Sequence, residues 1–206
     1  MMIDKIHWLG HASLRIEAPG AVIYVDPWKL SDDSPAADLI LITHEHYDHC
    51  SIEDIAKVRA DDTVIVANSA AAKKLSGPVR VVRAGDQLSA RGVKIEAVPA
   101  YNVDKQFHPP SAGHVGFVLS VDDSRIYIAG DTDVIPEMKE ISADIAILPV
   151  SGTYVMTAAQ AVEAVDMIAP DIAIPIHYGE IVGSEADARQ LQDQASCEVR
   201  ILRKER

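Results

Sequence analysis

Residues 43 to 49 read THEHYDH, so His44, His46, Asp48 and His49 fall within six positions, directly behind the apolar run ADLILIT (37–43). The chain has eight histidines, and three of them in one short segment argue for a shared task. Alternate side chains of an extended segment share a side, so His44 and His46 point the same way and can grip one cation. Asp48 and His49 lie past the bend and can serve a second. Neutral imidazole and carboxylate are the donors that suit zinc, iron or manganese. Such a cluster rarely closes a site alone, so further donors are sought where other apolar runs end. IYIAGDT places Asp131 behind one, and IAIPIHYG places His177 behind another. The loop YNVDKQFHPPSAGH (101–114) offers His108 and His114. Taken singly, each has a plainer use, since an aspartate after a strand often serves a turn or a cap. Their coincidence at matching strand ends favours two three-ligand sets with one carboxylate between them.

Two cations held about 3.5–4 Å apart can share a water and lower its pKa from about 15.7 to about 7. The metal-bridging hydroxide so formed attacks a carbonyl or phosphoryl centre, while the cations stabilise the charge that develops on oxygen. No serine or cysteine nucleophile is required. Asp48 and Asp131 are the expected catalytic carboxylates, positioning the hydroxide and passing its proton toward the leaving group. The small-molecule substrate could be an ester, lactone, amide or phosphodiester. Two divalent ions are expected, zinc first, with manganese or iron as alternatives.

The elements that must place these residues follow from the pattern. The opening, KIHWLGHASLRIEAPGAVIYVDPW (5–28), reads as short strands broken at Gly10 and at Pro19-Gly20. ADLILIT and TVIVAN (63–68) are apolar without alternation, as in strands buried on both faces. Ser51 opens a helix through SIEDIAKVRA with Asp54 three residues on, and an alanine-rich helix follows TVIVAN. Short strands occupy 79–99, and VGFVLSVDDSRIYIAG (115–130) is a hairpin turning at 122–124. ADIAILPV (143–150) and DIAIPIHYG (171–179) are further strands, and EVRILR closes with another. Thr157 and Gln160 form a capping box for a helix whose apolar stripe is Ala161, Val162, Val165 and Ile168, and EADARQLQDQA (185–195) is a last helix. This order predicts an α/β protein of two sheets packed face to face with helices outside, in one domain over residues 1–206.

Composition bounds the rest. Hydrophobic residues make up 48% and charged residues 24%, ordinary values for a globular chain. The net charge of −12, with no Lys/Arg run, argues against non-specific nucleic-acid binding. Apolar runs are strand-length, and MMIDKIHWLG lacks a basic stretch followed by an apolar one, so no membrane association and a cytoplasmic location are expected. Cys50 and Cys197 are expected to be buried or half-buried thiols. Exposed strand edges and apolar loops could pair chains into a homo-oligomer.

THEHYDH matches the THxHxDH motif of the metallo-β-lactamase fold, and AGDT (129–132) and PIHYG (175–179) match that fold's later metal-ligand motifs. The chain therefore resembles this superfamily over essentially its whole length. WLGHASLRIE (8–17), DPW (26–28) and LPVSGTYVMTAAQA (148–161) look like the branch that includes ascorbate-6-phosphate lactonase and N-acyl phosphatidylethanolamine phospholipase D, and within it like small prokaryotic metal-dependent hydrolases. The resemblance implies a four-layer αββα sandwich with the site at one edge between the sheets. It implies His44, His46 and a histidine of the 108–114 loop on one metal, Asp48, His49 and His177 on the other, and Asp131 bridging. His108, in FHPP, looks like the family's HP histidine, with His114 as the alternative ligand.

Residues around the ligands have open readings. His11 is either a structural histidine bonded to backbone or a contact to a ligand or substrate. Asp26 is expected to orient a ligand histidine through its outer ring nitrogen. Tyr101, Asn102, Tyr154 and Tyr178 lie on loops where they could touch substrate, although a buried tyrosine with a bonded hydroxyl is the commoner outcome. His7 is expected to be structural. A basic patch built from Lys29 and Lys105 would favour a phosphodiesterase or nuclease on the same scaffold. A non-catalytic metal-binding or sensing protein, or a redox di-iron protein, is the remaining alternative.

Overall fold

An apolar run without alternation must be covered on both faces, and residues 37–42 are. Leu39 and Leu41 turn into one buried cluster, and Ile40 and Ile42 into another. The computed structural model describes residues 1–205 and shows what lies on each side. A six-stranded sheet holds β1 (Ile6–Gly10), β2 (Ser13–Ala18), β3 (Ala21–Val25), β4 (Ala37–Ile42), β5 (Arg59–Asn68) and β6 (Arg80–Val82) in sequential order. A seven-stranded sheet holds β7 (Gln87–Ala90), β8 (Val93–Pro99), β9 (Val115–Val121), β10 (Ser124–Ile128), β11 (Ile145–Pro149), β12 (Ile172–Ile176) and β13 (Glu198–Val199), again in order. Both sheets begin antiparallel and become parallel, from β3 onward in the first and from β10 onward in the second.

The larger buried cluster draws Leu14, Ile16, Leu39, Leu41 and Val66 from the first sheet and Ile95, Phe117, Leu119 and Ile147 from the second. The smaller one joins Tyr24, Ile40, Ile42 and Ile65 to Ile55, Val58 and Ala71 of two helices, α1 (Ile52–Val58) and α2 (Ser69–Ala72). α3 (Ala158–Ile168) and α4 (Glu185–Gln194) pack on β11, β12 and β13. The expected sandwich, sheet on sheet with helices outside, is the fold.

Local chemistry sets the helix starts. Ser51 Oγ accepts the Asp54 N–H at 3.3 Å, and Asn68 Oδ1 accepts that of Ala71 at 2.9 Å. The Thr157–Gln160 capping box closes on both sides, at 3.2 and 2.8 Å. The buried stripe of α3 runs through Ala161, Ala164, Val165 and Ile168, with Val162 only half-buried.

Three elements differ from expectation. α1 stops at Val58 because Arg59 already pairs with Ala37. The alanine-rich helix lasts four residues. The closing strand pairs over Glu198–Val199 only; the chain then crosses to the first sheet, where Glu205 donates its N–H to the Trp8 carbonyl at 2.9 Å. That crossing covers the open edge of β1. No helix among the described residues is long and apolar enough to cross a membrane.

The sheets converge at the carboxyl ends of their parallel strands. Val115 N donates to Thr43 O at 3.2 Å, and His177 N to His11 O at 2.8 Å, so each bond ties one sheet to the other. Gly116 on β9 lies so close to β10 that a Cβ there would meet the Ile128 and Ala129 carbonyl oxygens at 2.7 and 2.8 Å. Backbone cannot step aside as a side chain can. Gly116→Ala is expected to lower unfolding free energy by about 1–3 kcal/mol, read from urea denaturation; a change within about 0.5 kcal/mol would show that β9 and β10 separate freely.

Candidate metal centre

The histidine segment leaves β4 and folds back on itself, with His49 N and Cys50 N both donating to the His46 carbonyl, at 3.1 and 2.7 Å. That turn gathers the segment's rings around His44, whose ring centroid lies 4.6 Å from that of His46 and 4.0 Å from that of His49. His46 Nδ1 lies 3.1 Å from His44 Nε2 and 3.1 Å from His108 Nε2, so three imidazole nitrogens face a common point. Asp48, His49 and His177 form a second group with His11, every donor atom within 4.8 Å of the others. Asp131 stands between the groups. Its Oδ1 is 3.4 Å from His49 Nε2, and its Oδ2 is 3.3 Å from His177 Nε2, 3.5 Å from His108 Nε2 and 4.0 Å from His44 Nε2.

The outer nitrogens show which way the lone pairs point. Thr43 donates its hydroxyl to Asp26 Oδ2 at 2.6 Å, so its oxygen accepts from His44 Nδ1 at 3.0 Å. His108 Nδ1 faces the Tyr154 carbonyl at 3.1 Å, which can only accept. His49 Nδ1 faces Asp26 Oδ2 at 2.8 Å. Protons held on the outer nitrogens leave lone pairs directed inward, the arrangement that metal-binding histidines need. Ser151 Oγ meets His177 Nδ1 at 3.0 Å. His49 Nε2 and Asp131 Oδ1 are buried without a hydrogen-bond partner. Buried donor atoms left this way are costly, and one cation coordinated by them removes the cost. The residues present therefore fit divalent metal ions.

The electrostatics point the same way. Burial, reinforced by the charge of His49, holds His44 well below the ordinary imidazole range. Burial opposes charge on His49 too, but the Asp131 and Asp26 carboxylates outweigh it and raise His49 well above that range. Asp131 is likewise buried, yet His177 and His49 hold it well below the usual carboxylate range. The two carboxylates beside His49 therefore favour positive charge at this point of the cluster, the charge a coordinated cation would supply.

Geometry at this edge strains the backbone. His11, Asp26, His108 and His177 all have positive φ, at 50°, 46°, 57° and 62°. Side chains other than glycine rarely adopt this region, and each instance costs on the order of 1–3 kcal/mol. His11, Asp26 and His177 adopt it directly after β1, β3 and β12, and His108 within the loop between β8 and β9.

Of the two histidines offered by the 101–114 loop, His108 carries its Nε2 into the first group, while His114 directs its Nε2 to Glu45 Oε2 at 3.3 Å. Asp26 sits behind His49, its Oδ2 2.8 Å from the ring's Nδ1. His11 is not a backbone-bonded histidine: its Nε2 lies 3.0 Å from Asp48 Oδ2 and its Nδ1 has no hydrogen-bond partner. Asn102 holds the His108 loop, donating to the Phe107 and Tyr154 carbonyls at 3.0 and 2.6 Å. Two tyrosines lie away from the cluster. Tyr101 gives its hydroxyl to Glu137 at 2.9 Å, and Tyr178 is buried against Trp8 with ring centroids 4.8 Å apart. His7 bonds Glu205 at 3.0 Å on the surface of β1.

Sequence reasoning missed Thr43, Ser151 and Asp133. Asp133 is fully buried, accepts from Val103 N at 2.9 Å and pairs with Lys105, which fixes the loop that delivers His108. The signal was a second aspartate two residues beyond Asp131. A cavity of about 430 Å³ opens over the cluster, lined by His46, Asp48, His108, Asp131 and His177 and by Tyr47, Lys74, Phe107, Tyr154 and Ile181. A depression of similar size near Glu96, Arg125 and Glu137, about 410 Å³, is lined by no histidine.

Residues 5–177 match the beta-lactamase superfamily domain. A UPF0173 metal-dependent hydrolase of Methanopyrus kandleri is 31% identical over 207 residues, covering 91% of this chain and 90% of that protein. A UPF0173 protein of Pyrococcus abyssi is 32% identical over 197 residues, again covering 91% and 90%. The crystal structure of a protein from Parabacteroides distasonis, described as a metal-dependent hydrolase, superposes with a TM-score of 0.87 at 40% identity, covering 98% of this chain and 93% of that one. The chain belongs to the metal-dependent hydrolases of the metallo-β-lactamase superfamily.

Two predictions follow from this geometry. Asp26→Asn removes the charge behind His49 while nearly keeping shape, and is expected to weaken metal affinity about 10–100-fold in competition with a chromogenic chelator. Cys50 is buried, with its thiol pushed up to about 11 by burial and by Asp26. Iodoacetamide at mildly alkaline pH should therefore modify Cys197 first and Cys50 only in denaturant, as read by peptide mass spectrometry; rapid native labelling of Cys50 would contradict the burial.

Proposed function

We propose that the chain is a binuclear metal-dependent hydrolase acting on an ester, lactone, amide or phosphodiester of a small molecule. The carrying observation is Asp131, one oxygen facing His49 and the other lying among His44, His108 and His177. His44, His46 and His108 would hold one divalent ion, Asp48, His49 and His177 the other, and Asp131 would contact both; zinc suits this nitrogen-rich set, and manganese or iron would also fit. When bound, such ions supply an acidified water as nucleophile and Lewis acidity at the carbonyl or phosphoryl oxygen.

The protein's own groups do the rest. Asp48 retains 14% side-chain exposure where Asp131 retains 4%, so Asp48 is the carboxylate that a substrate in the cavity reaches, and it carries the proton toward the leaving group. His11, on its buried side, holds Asp48 Oδ2 in place. Asp26, Thr43, Ser151 and the Tyr154 carbonyl fix the ring orientations, so little reorganisation accompanies the reaction. A nuclease reading finds less support. Lys105 is taken up by Asp133 and Asp104, Lys29 by Glu180 and the Trp28 ring, and neither lines the cavity.

Elemental mass spectrometry on protein purified without chelator should give about two metal equivalents per chain. His108→Ala should lose one of them and His114→Ala neither, and chelation should abolish hydrolysis in a screen running from lactones to phosphodiesters. At most one equivalent after reconstitution with zinc and manganese would overturn the binuclear reading.

A further inference from the structure

The mouth of the cavity is chemically unlike the rest of the surface. Among the described residues, seven large apolar side chains are exposed, and three of them, Tyr47 (66%), Phe107 (50%) and Ile181 (37%), border this one opening. They come from three separate segments, so their meeting is a product of the fold. Two are held in place rather than left loose. The Phe107 ring stands edge-on to Tyr154 with centroids 4.9 Å apart, and Tyr47 stands edge-on to Trp28 at 6.2 Å. Exposed apolar surface gathered at a concave site is what an apolar ligand removes from water.

We propose that the substrate carries a compact alkyl or aryl group, and that Tyr47, Phe107 and Ile181 are the residues that select for it. This rests on the reading of the cluster as a hydrolytic centre, whose scissile group would sit below the apolar rim. Two observations separate this occupant from others. A protein partner would need roughly 800 Å² from each side, far more than three side chains offer, and would seal the histidines from solvent. A polyanion is disfavoured because Lys74 is the one lysine or arginine lining the cavity, and its ammonium already donates to the Glu45 carbonyl at 2.6 Å.

The test is calorimetric titration of the zinc-loaded protein with straight-chain carboxylates from acetate to octanoate. Each added methylene should tighten Kd about fourfold until the mouth is filled. The double variant Phe107→Ala/Ile181→Ala alters only exposed residues, so it should fold and keep its metal content, and it should lose most of that dependence. A Kd that is flat along the series, or a dependence that survives in the double variant, overturns the proposal. So does self-association by sedimentation that the double variant abolishes, which would assign the face to a second copy of the chain. A steep series in a protein that hydrolyses nothing would leave the apolar mouth standing and sink the hydrolase reading. A protein that takes up no metal would sink it too, and the same series on the metal-free chain would still read the apolar contact.

Discussion

Everything at this edge of the sandwich depends on one constraint: inward lone pairs and carboxylate oxygens, removed from water, need a positive charge among them. Three imidazole nitrogens face one another at about hydrogen-bond distance, and two carboxylates approach from the other side. Without a cation this is a set of unmatched acceptors. The surroundings are built around that requirement. Asp26 takes the Thr43 N–H at 2.8 Å, the Thr43 hydroxyl and the His49 ring nitrogen, so one buried carboxylate fixes both the end of β4 and the aim of a donor two turns of chain later.

The fold supplies this precision because the donors sit where parallel strands end. β3 delivers Asp26, β4 the histidine segment, β10 Asp131 and β12 His177, each strand held by neighbours on both sides. At two of those ends a single residue takes up the turn, Asp26 after β3 and His177 after β12, both with positive φ. The candidate donors thus stand on rigid supports, and the one that does not, His108, is secured by Asn102, the Tyr154 carbonyl and the Asp133–Lys105 pair beneath its loop.

Much of this was written in the sequence. THEHYDH, AGDT and PIHYG mark donors because their spacing follows apolar runs, and apolar runs are the strand signal that periodicity reads best. The sandwich was legible from the same runs and from the Thr157–Gln160 cap. What was not legible depends on contacts between distant segments. Nothing local tells Tyr178, which packs on Trp8, from Tyr154, which faces the cavity. Nothing local marks Asp133 as the anchor of a loop thirty residues upstream. EVRILR has strand composition throughout, but its pairing with β12 ends with the Arg200 N–H on the Ala173 carbonyl at 2.9 Å, and the remaining residues leave the sheet.

The donors are divided between the two halves of the chain. His44, His46, Asp48 and His49 follow the first sheet, whereas His108, Asp131 and His177 belong to the second. Neither half brings the whole cluster together alone, so a metal ion held by donors from both would act as a rivet across the seam. Holding power at that seam then becomes a function of free metal concentration. Well above its dissociation constant, each tenfold rise in free metal adds about 1.4 kcal/mol per ion to the folded state, and scarcity loosens the two layers at the place where chemistry is done.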